Sequence, residues 1–472
     1  MRSDIYHDIL YEINLLDALE KRILSSPPAG ISIDSRQIKQ GDIFVALKGG
    51  RVDGSSFIPD ALSKGAQFII TSDRGSIPLI KEDISYILVN DPVYSIQHLA
   101  MIFLQRFQSS RKAVITGSAG KTTVKEMAGS ILNAAEKPCF INARNYNSQV
   151  GIPLSILSIK GEPEIMVFEI GMSCRGEIKR LAEIIGPDTA LVLNIGDVHR
   201  EFFSSIYEIR DAKLEFIDFM RKDPVIIYFS DDKVLSEGIR EKWNKRTIRY
   251  SLKGKYSIKP ARYDCDEMGF YTFSMLLPSG YPVVDIRLRV PGLHNLINAV
   301  SAACLCDCLG IEPRFIAMGL GSCSAVSMRS NLYARGGYII YEDCYNSSPI
   351  ALKNALDAFS GIRKEGKSLA VLGDMLELGT ESARYHDEML SYALDRDIDA
   401  IITVGKEFWN ARDNICPELK KRVSSFIEKE DAGGEIIKRL KDHKKIFIKG
   451  SRSIQLEKIL QVIENNIFDD NK

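Results

Sequence analysis

The stretch Val114-Ile-Thr-Gly-Ser-Ala-Gly-Lys-Thr-Thr123 holds the residue types needed to bind a nucleoside triphosphate with Mg²⁺. Gly117 and Gly120 permit a tight turn in which the backbone N–H groups of Thr116, Gly117, Ser118, Ala119 and Gly120 can all face an anion. Lys121 adds a point charge for the outer phosphates, Thr122 a hydroxyl for Mg²⁺, and Thr123 continues into a helix whose positive end faces the same spot. The common form of this loop has Gly where Ile115 stands, so the pattern is the shorter Thr-Gly-x-x-Gly-Lys-Thr. An ordinary strand-to-helix turn is the plain alternative.

Such a loop needs a buried strand before it, here ending in Ala113 to Ile115, and a helix after it, here about Thr123 to Ala135. Ligands of parallel α/β sheets gather at the carboxyl ends of the strands. Three further stretches place polar groups there: the loop Asn145 to Pro153, a strand ending in Glu169, and a strand leading to His199. Glu169 suits Mg²⁺. His199 is the weaker candidate, because Mg²⁺ favours oxygen donors. Lys213, on a helical stretch from Ile206 to Met220, reads on its own as a solvated lysine. His294 and Asn295 begin an Ala-rich helix where Asn is a good cap. Cys304, Cys306 and Cys308 on that helix read as small core-filling thiols rather than metal ligands, and Asp34-Ser35-Arg36 as a capped turn.

At 472 residues the chain is too long for one core. Strand-helix alternation predicts α/β architecture in three units: residues 1–109 as a small α/β domain, 110–324 as a central phosphate-loop domain on a mostly parallel sheet, and 325–472 as a Rossmann-like domain of strand-Gly units. Linkers are expected at Ser109 to Lys112 and near 324, and hairpin strands between Tyr250 and Arg289. Lys plus Arg and Asp plus Glu are equal at 62 each, so no global field draws in nucleic acid or an anionic membrane. The first eight residues lack an apolar core, no run reaches membrane-spanning length, and the nine scattered cysteines suit reduced thiols, which together predict a cytoplasmic protein.

Taken together, Thr-Gly-x-x-Gly-Lys-Thr, the Glu169-Ile-Gly strand end, Asn194-Ile-Gly-x-x-His199, Ala212-Lys213, Gly292-x-His-Asn295 and Tyr345-Asn-x-x-Pro349 resemble the Mur ligases, the ATP-dependent peptide ligases of peptidoglycan precursor synthesis. Asp34-Ser-Arg, Asn145-Tyr-Asn, Val371-Leu-Gly-Asp-Met-Leu-Glu-Leu-Gly379 and Lys449-Gly-Ser-Arg-Ser453 point within that family to the branch that adds D-alanyl-D-alanine to a UDP-muramoyl-tripeptide.

The resemblance implies that ATP phosphorylates the peptide carboxylate and that the dipeptide amine displaces the phosphate. It implies two Mg²⁺ ions, one at Thr122 and Glu169 and one at His199, with Lys213 carbamylated by CO₂. Asn295 would contact adenine, and Arg329 and Asp343 would reach the ATP phosphates and ribose on domain closure. Asp34, Ser35 and Arg36 would face the uridine nucleotide, Asn145 and Asn147 the muramoyl-peptide, and Asn346 and Arg452 the dipeptide. A monomer acting on small molecules alone is expected. A sibling ligase adding one amino acid, and a switch ATPase using the same loop, are the alternative functions.

Overall fold

The computed structural model describes residues 30–49, 52–75, 85–143, 145–221, 223–255 and 257–469. The reading of the first eight residues lies outside them. Four sheets organise the described residues. The first is parallel throughout, in the order β1 (Ile31–Ser32), β2 (Ile43–Val45), β3 (Phe68–Thr71) and β4 (Ser85–Leu88).

The second sheet contains β5 (Arg111–Thr116), β6 (Cys139–Ile141), β7 (Ile165–Glu169), β8 (Thr189–Val192), β9 (Val225–Phe229) and β10 (Thr247–Tyr250). Its order is β10-β9-β8-β5-β7-β6, again all parallel. Strand β5 shows why it is buried on both sides. Ala113 and Ile115 join one core with the helices Lys121–Ala134, Leu293–Cys308 and Pro313–Ser322, whereas Val114 joins another with Pro92–Leu104, Glu177–Ile185 and Ile206–Lys213. Alternate side chains thus serve opposite helical layers, as a doubly wound sheet requires. Because β5 lies between β7 and β8, the chain reverses direction across the sheet at the phosphate loop, and the crevice opens there.

An antiparallel sheet of β11 (Pro260–Cys265), β12 (Phe270–Leu276) and β13 (Pro282–Pro291) covers the first of those cores, and matches the hairpins expected over this stretch. The last sheet runs β14-β15-β19-β16-β17-β18, built from β14 (Asn331–Arg335), β15 (Tyr338–Glu342), β16 (Lys367–Gly373), β17 (Ala400–Val404), β18 (Val423–Phe426) and β19 (His443–Lys449). It is parallel except for the edge pair β14/β15.

Three expectations need correction. Ser109 to Lys112 is no free linker: Arg111 and Lys112 begin β5, the Ser110 hydroxyl donates to Pro163 O at 2.6 Å, and Lys112 is fully buried with Nζ 3.0 Å from Phe107 O. A lysine stem is long enough to cross the core edge and deliver its ammonium to a carbonyl. The phosphate-loop helix starts at Lys121, two residues earlier than expected. The helical stretch from Ile206 is α-helical only to Lys213 and continues as a 3₁₀ turn over Glu215–Phe219. Among the described residues no helix is long and apolar enough to cross a membrane.

Candidate functional site

Beyond the carboxyl end of β5 lies a cleft with a cavity volume of about 1070 Å³, walled by the central sheet's loops on one side and by the C-terminal sheet's loops on the other. The phosphate loop forms its floor. Gly117 and Gly120 have φ of 150° and 86°, and a Cβ at Gly120 would meet the side chain of Asn298 at 2.7 Å. Only glycine suits both the backbone angle and that approach.

The loop amides are not all directed at the cleft. Ser118 N and Ala119 N donate to Asn194 Oδ1 at 3.1 and 2.9 Å, and the Asn194 Nδ2 donates back to Ala119 O. Asn194 therefore braces the loop, and it is the amides of the first turn of Lys121–Ala134, which no intrahelical carbonyl can satisfy, that can serve an anion. Sequence reasoning treated Asn194 only as part of a motif. Its carboxamide matches the donors and acceptors of a turn, but no local signal says which turn.

Two lysines converge on one carbonyl. Lys121 Nζ donates to Gly117 O at 2.7 Å and Lys213 Nζ to the same oxygen at 3.2 Å. Lys213 is only 1% exposed, so it is not the solvated lysine of the plain alternative. Burial, reinforced by the Lys121 charge, holds the Lys213 amine well below the usual lysine range. Burial also lowers Lys121, partly opposed by Glu169.

Next to the loop, the Thr122 hydroxyl donates to the two carboxylate oxygens of Glu169 at 3.0 and 2.9 Å. Glu169 is 1% exposed and also accepts from Asn147 Nδ2 at 2.8 Å. Buried oxygen donors of this kind, beside a phosphate loop, fit a hard divalent cation. Among the described residues no three His, Cys, Asp or Glu side chains converge as a metal-binding group, so the pair needs phosphate or water oxygens to complete a shell.

Two residues missed in the sequence hold this pair in place. Lys125, with a fully buried side chain, lies 3.5 Å from Glu169 Oε2 and donates to Asn142 O at 3.0 Å. Asn142 accepts from Glu169 N at 2.8 Å and donates to the carbonyls of Glu169 and Tyr146. Lys125 sits one helical turn after Lys121 on the same face, which is the signal that could have marked it.

On the nucleotide side, Asn295 and His294 line the cleft. The cap expected of Asn295 is instead Gly292, and Asn295 lies inside the helix, donating to Pro291 O at 2.7 Å and accepting from Asn298 at 3.1 Å. Cys304 and Cys306 are fully buried and Cys308 partly so, all as free thiols. From the C-terminal side, the Arg329 guanidinium lies 3.9 Å over the Tyr345 ring, and Asp343 accepts from Ser330 N at 3.1 Å and from Lys449 Nζ at 2.6 Å. Asn346 also lines the cleft; its carbonyl accepts from Lys449 Nζ and its side-chain oxygen from Ser347 N. Arg452 borders the cleft but is engaged by Glu457 at 2.8 Å. His199 stands on the central side with φ of 56°, its Nδ1 2.8 Å from Glu377 Oε2 but not aligned for a hydrogen bond.

Asn145 lines the cleft as an exposed residue whose carbonyl accepts from Asn147 N at 2.7 Å. Asp34, Ser35 and Arg36 do not reach it. They form a 3₁₀ turn capped by Asp34, which pairs with Arg36 at 2.9 Å, as the capped-turn reading expects.

Comparison with known proteins accounts for this arrangement along the length of the chain. Family models match at residues 28–103 (Mur ligase family, catalytic domain), 115–306 (Mur ligase middle domain) and 328–452 (Mur ligase, glutamate ligase domain). The UDP-N-acetylmuramoyl-tripeptide--D-alanyl-D-alanine ligase of Bacillus subtilis is 32% identical over 92% of each chain, and that of Escherichia coli 28% identical over 92% of this chain and 94% of its own. A crystal structure of MurF from Acinetobacter baumannii superposes with a TM-score of 0.82 at 26% identity, covering 92% of this chain and 93% of that one. MurF ligase from Thermotoga maritima in complex with ADP gives 0.78 at 27% identity, covering 93% and 98%. With three family segments in order and a relative 32% identical over 92% of the chain, this protein belongs to the Mur ligase family.

Proposed function

We propose that this enzyme is an ADP-forming ligase that joins D-alanyl-D-alanine to UDP-N-acetylmuramoyl-tripeptide, making the UDP-muramoyl-pentapeptide of peptidoglycan precursor synthesis. The geometric observation that supports a ligase is that the phosphate loop opens into a cavity whose far wall belongs to the C-terminal sheet, so that ATP and an amine can meet there. The choice of dipeptide follows the names of the full-length relatives.

On this reading the units are residues 1–109 for the UDP end of the substrate, with Asp34, Ser35 and Arg36; 110–324 for ATP; and 325–472 for the dipeptide, with Asn346 and Arg452. Asn145 and Asn147 face the muramoyl-peptide. The protein works as a cytoplasmic monomer on small molecules.

Three anionic groups must approach one another, so positive charge is the main demand on the site. Lys121 turns from Gly117 O to the β and γ phosphates, and the first-turn amides behind it share the charge. Arg329 supplies a guanidinium from the opposite wall, where Asp343 faces the ribose. Asn295 and His294 orient the adenine.

Thr122 and Glu169 would hold one Mg²⁺, and His199 with a carbamylated Lys213 a second; such ions neutralise phosphate charge and polarise the substrate carboxylate. Lys213 is suited to carbamylation because its buried amine is held toward the neutral form, which adds CO₂ with loss of a proton. The γ-phosphoryl group passes to the peptide carboxylate, the dipeptide amine attacks the acyl phosphate, and phosphate leaves as the amide forms.

The test is phosphate release from MgATP with UDP-N-acetylmuramoyl-tripeptide, with and without D-alanyl-D-alanine, and the mass of the product. Release that requires both substrates, with a product heavier by one dipeptide residue pair, is expected. Release indifferent to the dipeptide would favour a sibling ligase or a switch ATPase.

A further inference from the structure

The Asp374-Met-Leu-Glu-Leu-Gly379 segment following β16 has no part in the chemistry above, yet it is held from several sides. Asp374 accepts from Glu407 N and Phe408 N, both at 3.0 Å; Met375 N donates to His386 Nε2 at 2.9 Å; and Leu376 N donates to Ser451 Oγ at 3.0 Å. These bonds all belong to the C-terminal sheet and its helices. From that anchored base the segment reaches across the cleft. Glu377, at φ of 64°, brings Oε2 to 2.8 Å from His199 Nδ1, and Gly379 lies against the backbone of Arg200 and Glu201. Beside it the Tyr385 hydroxyl donates to Asp197, whose other oxygen lies 3.3 Å from Arg200 Nε.

We infer that Glu377 is a positioning residue for His199: the C-terminal unit, by docking this segment, fixes the ring through Nδ1 and leaves Nε2 toward the cleft. This rests on the ligase reading, in which His199 is a metal ligand, and a carboxylate holding the far nitrogen of a ligating imidazole sets its tautomer and orientation. The Glu377 side chain is 55% exposed and that of His199 22%, so the contact adds little to folding stability and its loss should leave the fold intact. The present pair is close without an aligned N–H, a geometry that a small ring rotation corrects when substrates tighten the cleft. The consequence is that His199 is correctly posed only when the two walls have met, which ties phosphoryl transfer to the presence of the C-terminal unit.

The experiment compares Glu377→Gln and Glu377→Asp with the parent enzyme in three readouts. In ¹⁵N-histidine-labelled protein, which has six histidines, the His199 ring resonances are assigned by their loss in His199→Gln. Glu377→Gln is expected to move those resonances toward a mixed tautomer, and Glu377→Asp to keep more of the parent pattern. The kcat of ligation is expected to fall about 10–100-fold in Glu377→Gln, with the KM for ATP and the unfolding midpoint unchanged and partial recovery in Glu377→Asp. Unmoved His199 resonances, or a kcat equal to the parent's, would overturn the inference. Failure of the parent enzyme to make pentapeptide at all would instead sink the ligase reading, while the ring spectrum would still report on the contact.

Discussion

At the scale of residues, the site is built from charges taken out of water and paired. Glu169 and Lys125 are both essentially buried, 3.5 Å apart, and each is also hydrogen-bonded to neutral partners. Lys125 also lies 3.5 Å from the half-exposed Glu126, but removing Lys125 leaves the buried Glu169 without its paired charge. Lys125→Met should therefore cost about 3–5 kcal/mol in urea unfolding, and adding Glu169→Gln to it should recover part of that loss although the double variant is catalytically dead. A second test concerns His294, whose Nε2 lies 3.3 Å from Ser330 Oγ across the cleft. Burial lowers its pKa from 6.5 to about 4, with Asp343 opposing and Lys449 assisting. The unfolded chain then takes up a proton first as pH falls. The stability linked to His294 is complete above pH 6.5 and is lost progressively between 6.5 and 4, by up to about 3 kcal/mol. His294→Gln should flatten the urea midpoint across that window; an unchanged slope would show the imidazole to be solvated.

At the scale of elements, the phosphate loop is only as well placed as the helix Lys121–Ala134 that carries it. That helix is clamped by Pro313–Ser322, where a Cβ on Gly319 would overlap the Cα of Ile131, and the Ser130 hydroxyl donates to Gly319 O at 2.7 Å. Gly319→Ala must separate the two helices. The overpacking should lower stability by about 1–3 kcal/mol and raise the KM for ATP, because the loop moves with its helix; Gly321→Ala, whose Cβ would meet only Arg287 O at 4.0 Å, is the control. Parent-like values of both for Gly319→Ala would show that the packing relaxes without moving the loop. The same elements explain what could be read in the chain beforehand. Strand β5, its glycines and the Lys-Thr-Thr run announce themselves through local pattern, as do the strand ends at Glu169 and His199. Asn142, Asn194 and Lys125 do not, because the partners that tie them into the site are 17 to 76 residues away and an Asn or Lys looks the same in sequence whether solvated or buried. The burial of Lys112 is equally silent in the sequence, whereas the antiparallel pairing of β14 with β15 is announced by the two-residue Gly336-Gly337 turn between them, with both residues at positive φ.

At the scale of the whole molecule, the polar contacts that bridge the cleft are individually weak, and that weakness has a consequence. Among the described residues the central and C-terminal walls meet through Glu377 with His199, Tyr385 with Asp197, His294 with Ser330, Gly379 against Arg200 and Glu201, and Arg363, whose N donates to Glu267 O at 2.9 Å and whose guanidinium donates to Cys265 O at 3.0 Å. Hydrogen bonds of this kind contribute about 1 kcal/mol each, so together they favour the closed arrangement by only a few kcal/mol. Substrates that touch both walls can then govern the equilibrium, and loss of one contact should shift it about fivefold without unfolding either wall. Tyr385→Phe with Arg363→Ala should accordingly enlarge the radius of gyration of the free enzyme in solution scattering and raise the KM for the dipeptide. Saturating ATP with both substrates, or a non-hydrolysable analogue with them, should bring the dimensions back to those of the parent. If the double variant scatters as the parent does in the free state, the walls are held by apolar packing instead, and closure cannot be the step that the substrates control.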